Sequence, residues 1–373
     1  MAETLRNWPE VELGEVCEFA YGKSLPATAR SGSGFPVFGS NGLVGFHEEA
    51  LTDGETIIIG RKGSFGEVHF SEQPCSPIDT TYYITNHQTN AYLPWLTRCL
   101  QSLNLKQLNR AAAIPGLNRA DAYRQKLLLP PLAEQKRIAA ILDAADALRA
   151  KRRETLAQLD TLLQSTFLDM FGDPVTNPKG WEVVSFDRIG KFTSGATPSK
   201  MRDDYWRGSV PWVSPKDMKV TRIVDSKDHV SDLALKETNL KLLAPGNLLI
   251  VVRGMILTHS FPVAINVVPV TINQDMNGII PSPRTEVFFL SECLRPLTRQ
   301  ILSEVSTAGH GTKRFDAEAM KKILVPLPPL PLQRRFAAIV ESVEQQKTRL
   351  RAHLTELDTL LASLQDRAFK GAL

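Results

Sequence analysis

A segment that occurs twice constrains this chain more than any single motif does. Leu129 to Phe171 aligns without a gap on Leu327 to Phe369 at a constant offset of 198, and 18 of the 43 positions are identical. Each copy opens with Leu-Pro-Pro-Leu (129–132 and 327–330) and later carries Leu-Asp-Thr-Leu-Leu (159–163 and 357–361). In the second copy, apolar residues fall at Phe336, Val340, Val343, Leu350, Leu354, Leu357, Leu361, Leu364 and Ala368, spaced four and three with one gap at Lys347. That is a heptad seam. The first copy places Ile138, Leu142, Ala145, Leu156, Leu159, Leu163 and Met170 at the equivalent positions, interrupted by Arg149 and Arg152. The seam therefore has apolar ends and a polar waist. The proline pairs suit a helix start, where the missing N–H costs nothing, and Gly172-Asp173-Pro174 and Gly371 suit the stops. Each copy predicts a helix of about 39 residues, roughly 58 Å long, and an amphipathic helix of that length needs a partner.

The stretches ahead of the helices also repeat, more weakly. Trp8, Val11, Leu13, Val16, Phe19 and Gly22 match Trp181, Val184, Phe186, Ile189, Phe192 and Gly195 at an offset of 173. Asp53-Gly54 followed by Ile57 to Arg61 matches Pro245-Gly246 followed by Leu249 to Arg253 at an offset of 192. Each reads as a turn, a buried strand and an arginine. The drift from 173 to 198 leaves 25 extra residues in the second domain, most of them before that strand. The expected organisation is a globular domain over 1–128, a helix within 129–173, a second domain over 174–326 and a second helix within 327–373. Because the ends of a domain usually lie close together, the two helices should run antiparallel. The fold class is α+β, with two globular α/β domains separated by two long antiparallel coiled-coil helices and a pseudo-twofold internal repeat.

Two variable domains, each followed by a helix that opens with Leu-Pro-Pro-Leu and continues through Gln135 to Arg137 or Gln333 to Arg335, resemble the specificity subunit of a type I restriction-modification enzyme. Phe171-Gly172-Asp173-Pro174 and the Trp181 that opens the next domain resemble that family too. The resemblance covers nearly the whole chain and is specific as an architecture. It implies that the domains are target recognition domains, each reading one half of a bipartite sequence in double-stranded DNA, while the helices set the spacer. It also implies two methyltransferase subunits docked on the helices, with S-adenosylmethionine bound there and not here, and restriction/translocase subunits joining for cleavage.

Motifs for catalysis are missing from the sequence. An adenine methyltransferase would show Asn/Asp-Pro-Pro-aromatic and a glycine-rich cofactor loop, but Asp173-Pro174-Val175 and Asn177-Pro178-Lys179 lack the second proline and the ring. There is no Gly-x-x-x-x-Gly-Lys-Ser/Thr phosphate loop. Glu134-Gln135-Lys136 has the spacing of a nuclease metal site but lies at a helix start, where dipole and solvent roles explain it better. Neither the seven histidines nor the four cysteines show metal-ligand spacing, and the cysteines read as small buried hydrophobes of a reducing compartment. With no apolar run of membrane length and no signal-peptide pattern, the chain is expected in the cytoplasm, away from membranes. No catalytic or metal-binding residue is assigned. A different class of reading, a coiled-coil scaffold whose domains bind protein ligands, would be separated from the first by a genomic neighbour encoding a methyltransferase.

Charge is weak for a DNA binder. The net charge is +4, and residues 1–128 hold 11 basic against 13 acidic residues, while 174–326 hold 20 against 15. Phosphate neutralisation supplies much of the affinity of stand-alone binders, so partner subunits are expected to share the grip. Base reading needs forked donors and acceptors on loops. Arg61, Lys62 and Ser64 follow one buried strand and Arg253 follows its counterpart, which makes the two arginines the leading candidates, open between base contact and surface ion pair. Further candidates are Lys23, Asn41 and Tyr82 in the first domain. In the second they are Lys200, Arg202, Lys216, Gln274, His310, Lys313 and Arg314. The basic waist Arg149, Lys151, Arg152 and Arg153, expected opposite Lys347, Arg349 and Arg351, reads either as a phosphate contact or, preferably, as polar groups that fix helix register with help from Asp146 and Glu154.

Overall fold

A computed structural model describes residues 7–108, 116–307 and 311–373. The two repeats form 40-residue helices, Leu132–Phe171 and Leu330–Phe369. Pro131 and Pro329 lie just outside, and their carbonyls accept the first N–H groups, from Gln135 at 3.0 Å and from Leu332 at 2.9 Å. At the other end Gly172 takes a φ of +78° and Gly371 a φ of +72°, left-handed stops of the kind that favour glycine.

The chain falls into two compact units, Met1–Glu154 with Arg351–Leu373 and Thr155–Leu350. Each takes the front of one long helix and the back of the other, and within each the two segments run antiparallel. In unit 1, Arg137 meets the carbonyl of Leu373 at 2.9 Å and Arg149 meets Asp358 at 2.6 Å. In unit 2, Asp160 meets Lys347 at 2.6 Å and the rings of Phe171 and Phe336 lie 5.6 Å apart. The apolar seam ends join the domain cores: Ile138, Leu142, Ala145, Leu361 and Ala368 pack with Ile57, Ile59, Trp95 and Leu96 in unit 1. Leu163, Phe167, Phe336, Val340 and Val343 do the same in the core of unit 2.

The waist differs from the sequence expectation. Arg149 faces Asp358 and Asp146, and Arg153 approaches Asp358 at 3.6 Å, so the basic cluster of unit 1 meets carboxylates and not another basic stretch. Lys347 is likewise no gap but a seam residue, only 4% exposed, donating to Asp160 and Glu344 at 2.6 and 2.8 Å. Burial alone would pull the pKa of its ammonium down, but the two carboxylate hydrogen bonds outweigh that and hold it above its ordinary value. A raised lysine contributes stability that is present below its unfolded pKa and lost as pH rises through the folded one. Unit 2 should therefore lose stability above about pH 10.5. Lys347→Met, which keeps the stem, should lower stability at pH 8, because it removes one side of the ion pair and takes this cation from the carboxylates of Asp160 and Glu344. Thermal unfolding at pH 8 and pH 11 should show a smaller alkaline loss in the variant; an equal loss in both proteins would place the effect elsewhere.

Each unit builds the same framework. In unit 1 a short strand at each end of the domain pairs antiparallel, Glu10–Glu12 with Lys126–Leu128, and in unit 2 Val183–Ser185 pairs with Leu324–Pro326. The main sheet of unit 1 runs in the order Ala20–Tyr21, Thr81–Ile84, Thr56–Gly60, Val68–Ser71. Unit 2 repeats it as Gly190–Ser194, Met276–Pro281, Leu248–Val251, Val263–Asn266 and adds Arg222–Ile223 at the edge. A three-stranded sheet accompanies each, centred on Phe35–Gly39 or on Val210–Val213. The extra residues of unit 2 add the edge strand and the helix Asp232–Glu237, and Tyr205, Trp212, Val230, Ala234 and Leu240 form a small separate core. The repeated Gly22 and Gly195 have one cause: a side chain at either would run into backbone carbonyls, of Ile78 and Pro77 in one unit and of Asn273 and Ile272 in the other.

A glutamine fastens each helix start to its domain. Gln135 accepts from the backbone N–H of Tyr92 at 2.8 Å and donates to the Pro130 carbonyl at 2.9 Å. Gln333 accepts from Glu286 N–H at 2.8 Å and donates to the carbonyls of Pro328 at 2.7 Å and Arg284 at 3.0 Å. All four cysteines are buried and unbridged, as the sequence suggested. No helix among the described residues is long and apolar enough to cross a membrane.

Candidate nucleic-acid interface

In unit 1 the strand Thr56–Gly60 is buried along its whole length and delivers Arg61 to its end. There the backbone is clamped from both sides, Arg61 N–H donating to Thr80 O at 2.9 Å and Arg61 O accepting from Leu117 N–H at 2.9 Å. The guanidinium donates to the Asp79 carbonyl at 2.6 Å and lies 5.2 Å from the centroid of the Tyr21 ring and 5.9 Å from that of Tyr82. A second guanidinium converges on the same place: Arg119, from the short helix Arg119–Tyr123, sits 5.4 Å from the Tyr21 ring and 5.8 Å from Tyr123. Its Nη1 donates to the Phe19 carbonyl at 3.4 Å. Tyr21 is 51% exposed. Tyr82, a candidate surface contact, is instead 4% exposed, with its hydroxyl donated to Leu117 O at 3.3 Å. Burial, with help from Tyr21, pushes its phenol up to about 12 against the pull of Arg61 and Arg119, so it stays neutral and braces Arg61 from below.

Unit 2 repeats the clamp one residue out of step with the sequence match, so that Val252 stands where Arg61 does and Arg253 stands where Lys62 does. After the buried strand Leu248–Val251, Arg253 N–H donates to Asp275 O at 3.1 Å, Gly254 N–H to Lys313 O at 3.0 Å, and Val252 O accepts from Phe315 N–H at 2.9 Å. Phe315 and Leu117 are related by the 198 offset of the helices. Beside the clamp lies a cleft of about 440 Å³ that brings together three sequence candidates, Arg253, Gln274 and Arg314, with Asp187 and Asn277. One carboxylate oxygen of Asp187 is buried there without a hydrogen-bond partner among the described residues. Gln274 Oε1 accepts from Thr197 Oγ1.

The remaining candidates divide by whether their charge is already met. Lys23, Asn41, Lys62, Ser64 and Lys200 are exposed. Arg202 pairs with Asp204 at 2.6 Å and lies over the Tyr205 ring, and Lys216 pairs with Asp228 at 2.5 Å. Both are therefore largely neutralised within the chain. Lys313 donates to Thr307 Oγ1 at 2.9 Å, and His310 lies outside the described residues. No group of His, Cys, Asp and Glu among the described residues has the geometry of a metal site. Arg119, Tyr21, Asp187 and Asn277 escaped the sequence reading, because the first two stand opposite Ala317 and Ser194 in the repeat and so carried no repeated signal.

The sequence matches the family model of the type I restriction modification DNA specificity domain twice, over residues 6–159 and 178–357. The chain belongs to this family. Each copy of the specificity domain thus begins at a globular domain and runs into its long helix. The EcoR124I/EcoR124II specificity subunit of a type I restriction enzyme from Escherichia coli is 32% identical over 216 residues, 57% of this chain and 52% of that one. The MjaIX specificity subunit from Methanocaldococcus jannaschii is 27% identical over 166 residues, 44% and 38% of the two chains. The chain therefore spans about half, or less, of the length of these curated relatives. Among solved structures, the S subunit of a type I restriction-modification system from M. genitalium shares the fold over 99% of this chain and 97% of its own, with a TM-score of 0.68 at 15% identity. A chain from a structure of type I restriction-modification complex assembly and conformational transition gives a TM-score of 0.59 at 20% identity, over 99% of this chain and 100% of its own.

Proposed function

We propose that this chain is the DNA sequence-recognition subunit of a type I restriction-modification complex and performs no chemistry itself. The specificity domains over 1–128 and 174–326 each read one half of a bipartite target, and the segments 129–173 and 327–373 set the spacer and dock methyltransferase subunits. The observation that carries the reading is the duplicated clamp: two domains of one family each present, at the end of the same buried strand, an arginine with no carboxylate partner among the described residues. A guanidinium that no carboxylate of the chain satisfies can offer its fork of donors to a base edge. Methyl transfer, S-adenosylmethionine and the restriction/translocase subunits belong to the partners.

The test is a reconstitution with labelled S-adenosylmethionine. The purified chain should transfer no methyl group, and adding its methyltransferase partner should give adenine methylation at one bipartite sequence. Methyl transfer by the chain alone, or a partner whose methylation is equally sequence-specific without it, would refute the proposal.

A further inference from the structure

The two units hold the same position with different contents. The clamp sets Arg61 against Val252 and Lys62 against Arg253, the 173 offset sets Tyr21 against Ser194, and the 198 offset sets Arg119 against Ala317. Two large groups in unit 1 thus stand where unit 2 has two small ones and an open cleft. We infer that Arg61 and Arg119 of unit 1 act as a paired guanine reader buttressed by Tyr21, an arrangement that unit 2 lacks. The inference rests on the DNA-recognition reading above and names the residues that give one half-site its sequence.

Charge supplies the first argument. Arg98, Lys106, Arg202, Lys216 and Arg284 each have a carboxylate partner, whereas neither Arg61 nor Arg119 has one among the described residues. Rigidity supplies the second. Each of the two guanidiniums is tied to one backbone carbonyl, Asp79 O or Phe19 O, and laid against two tyrosine rings. Little side-chain freedom is left to lose on binding, and the planar fork is preserved. A phosphate is met by a mobile lysine as well as by an arginine. A fork fixed against aromatic faces fits the two acceptors O6 and N7 that guanine presents side by side in the major groove. Since both guanidiniums lie within 5.4 Å of the centroid of the one half-exposed ring, they address the same or neighbouring base pairs.

The experiment selects binding sites from randomised duplex DNA with the complex of the full chain and its methyltransferase, and follows with competition and salt titration. The wild-type selection should contain guanine in the half that Arg61→Ala alters. Arg119→Ala should reduce discrimination at a guanine there by about 10- to 100-fold, with the other half and the melting temperature unchanged. Arg119→Lys should fail to restore it, because one ammonium cannot form the fork. Tyr21→Phe should keep the preference and Tyr21→Ala weaken it. The inference is overturned if Arg119→Ala leaves the consensus intact, if it weakens every sequence equally with a shallower salt slope, as a phosphate contact would, or if only the melting temperature falls. A wild-type complex that selects no bipartite sequence would instead overturn the DNA-recognition reading itself.

Discussion

Gln333→Leu should lower the stability of unit 2 by about 2–4 kcal/mol, because it strands buried polar groups that no neighbour can satisfy. Gln333 is fully buried, and its amide holds the N–H of Glu286 and the carbonyls of Arg284 and Pro328. Glu286 caps the helix Val287–Leu294, whose buried Phe289 stacks on Phe167 and meets Phe171 of the long helix edge to face. The loss should therefore loosen the domain from its helix rather than spread over the chain. Leucine matches the volume but offers neither donor nor acceptor. Gln135→Leu should do the same to unit 1, with one carbonyl fewer at stake and a smaller cost. Denaturant unfolding followed by amide hydrogen exchange would localise each effect. If Gln333→Leu cost under about 0.5 kcal/mol, the range of ordinary surface substitutions, the hydrogen bonds would be dispensable and the helix would be held by packing alone.

That glutamine also shows where the sequence stops being legible. Its place in Gln-Lys/Arg-Arg marked it as repeated, and the helix boundaries around it followed from proline, glycine and the heptad spacing, all local signals. Its partners Glu286 and Arg284 lie 47 and 49 residues away in the chain, so the role appears only once the domain is folded. The sheets repeat that pattern. The buried runs Ile57 to Ile59 and Leu249 to Val251 were visible as strands, whereas the strand order depends on pairings between distant segments that composition does not encode. Lys347 read as a gap in the seam because a lysine scores as polar, but its buried ammonium is met by Asp160 across the helix pair. Tyr82 read as a surface group for the opposite reason. Its hydroxyl suggested exposure, and only the fold shows it turned inward beneath Arg61. Repetition located Arg61 and Arg253, and for the same cause it hid Arg119, whose counterpart is an alanine.

Arg61→Ala and Arg253→Ala should damage opposite halves of the DNA target. Each arginine follows an equivalent buried strand, Arg61 in the position of Val252 and Arg253 in that of Lys62, with its N–H held by a backbone carbonyl, so neither removal should disturb the strand that precedes it. If each reads a base, each substitution costs about 1–3 kcal/mol of discrimination at its own half-site, roughly a 5- to 150-fold change, and leaves the other half intact. The two should differ in what accompanies the loss. Arg61 shares its place with Arg119 and three tyrosine rings, and its removal leaves one guanidinium still anchored there, so partial preference should survive. Arg253 stands at the mouth of a cleft with Arg314, Gln274 and the unpartnered carboxylate oxygen of Asp187. Without that arginine the carboxylate loses a nearby positive charge and repels the DNA backbone, so Arg253→Ala should weaken overall affinity more steeply at low salt than Arg61→Ala does. Site selection with each variant complex at two salt concentrations would decide it. Loss of both half-sites from either single substitution would mean that the arginines support assembly of the complex and do not read the sequence.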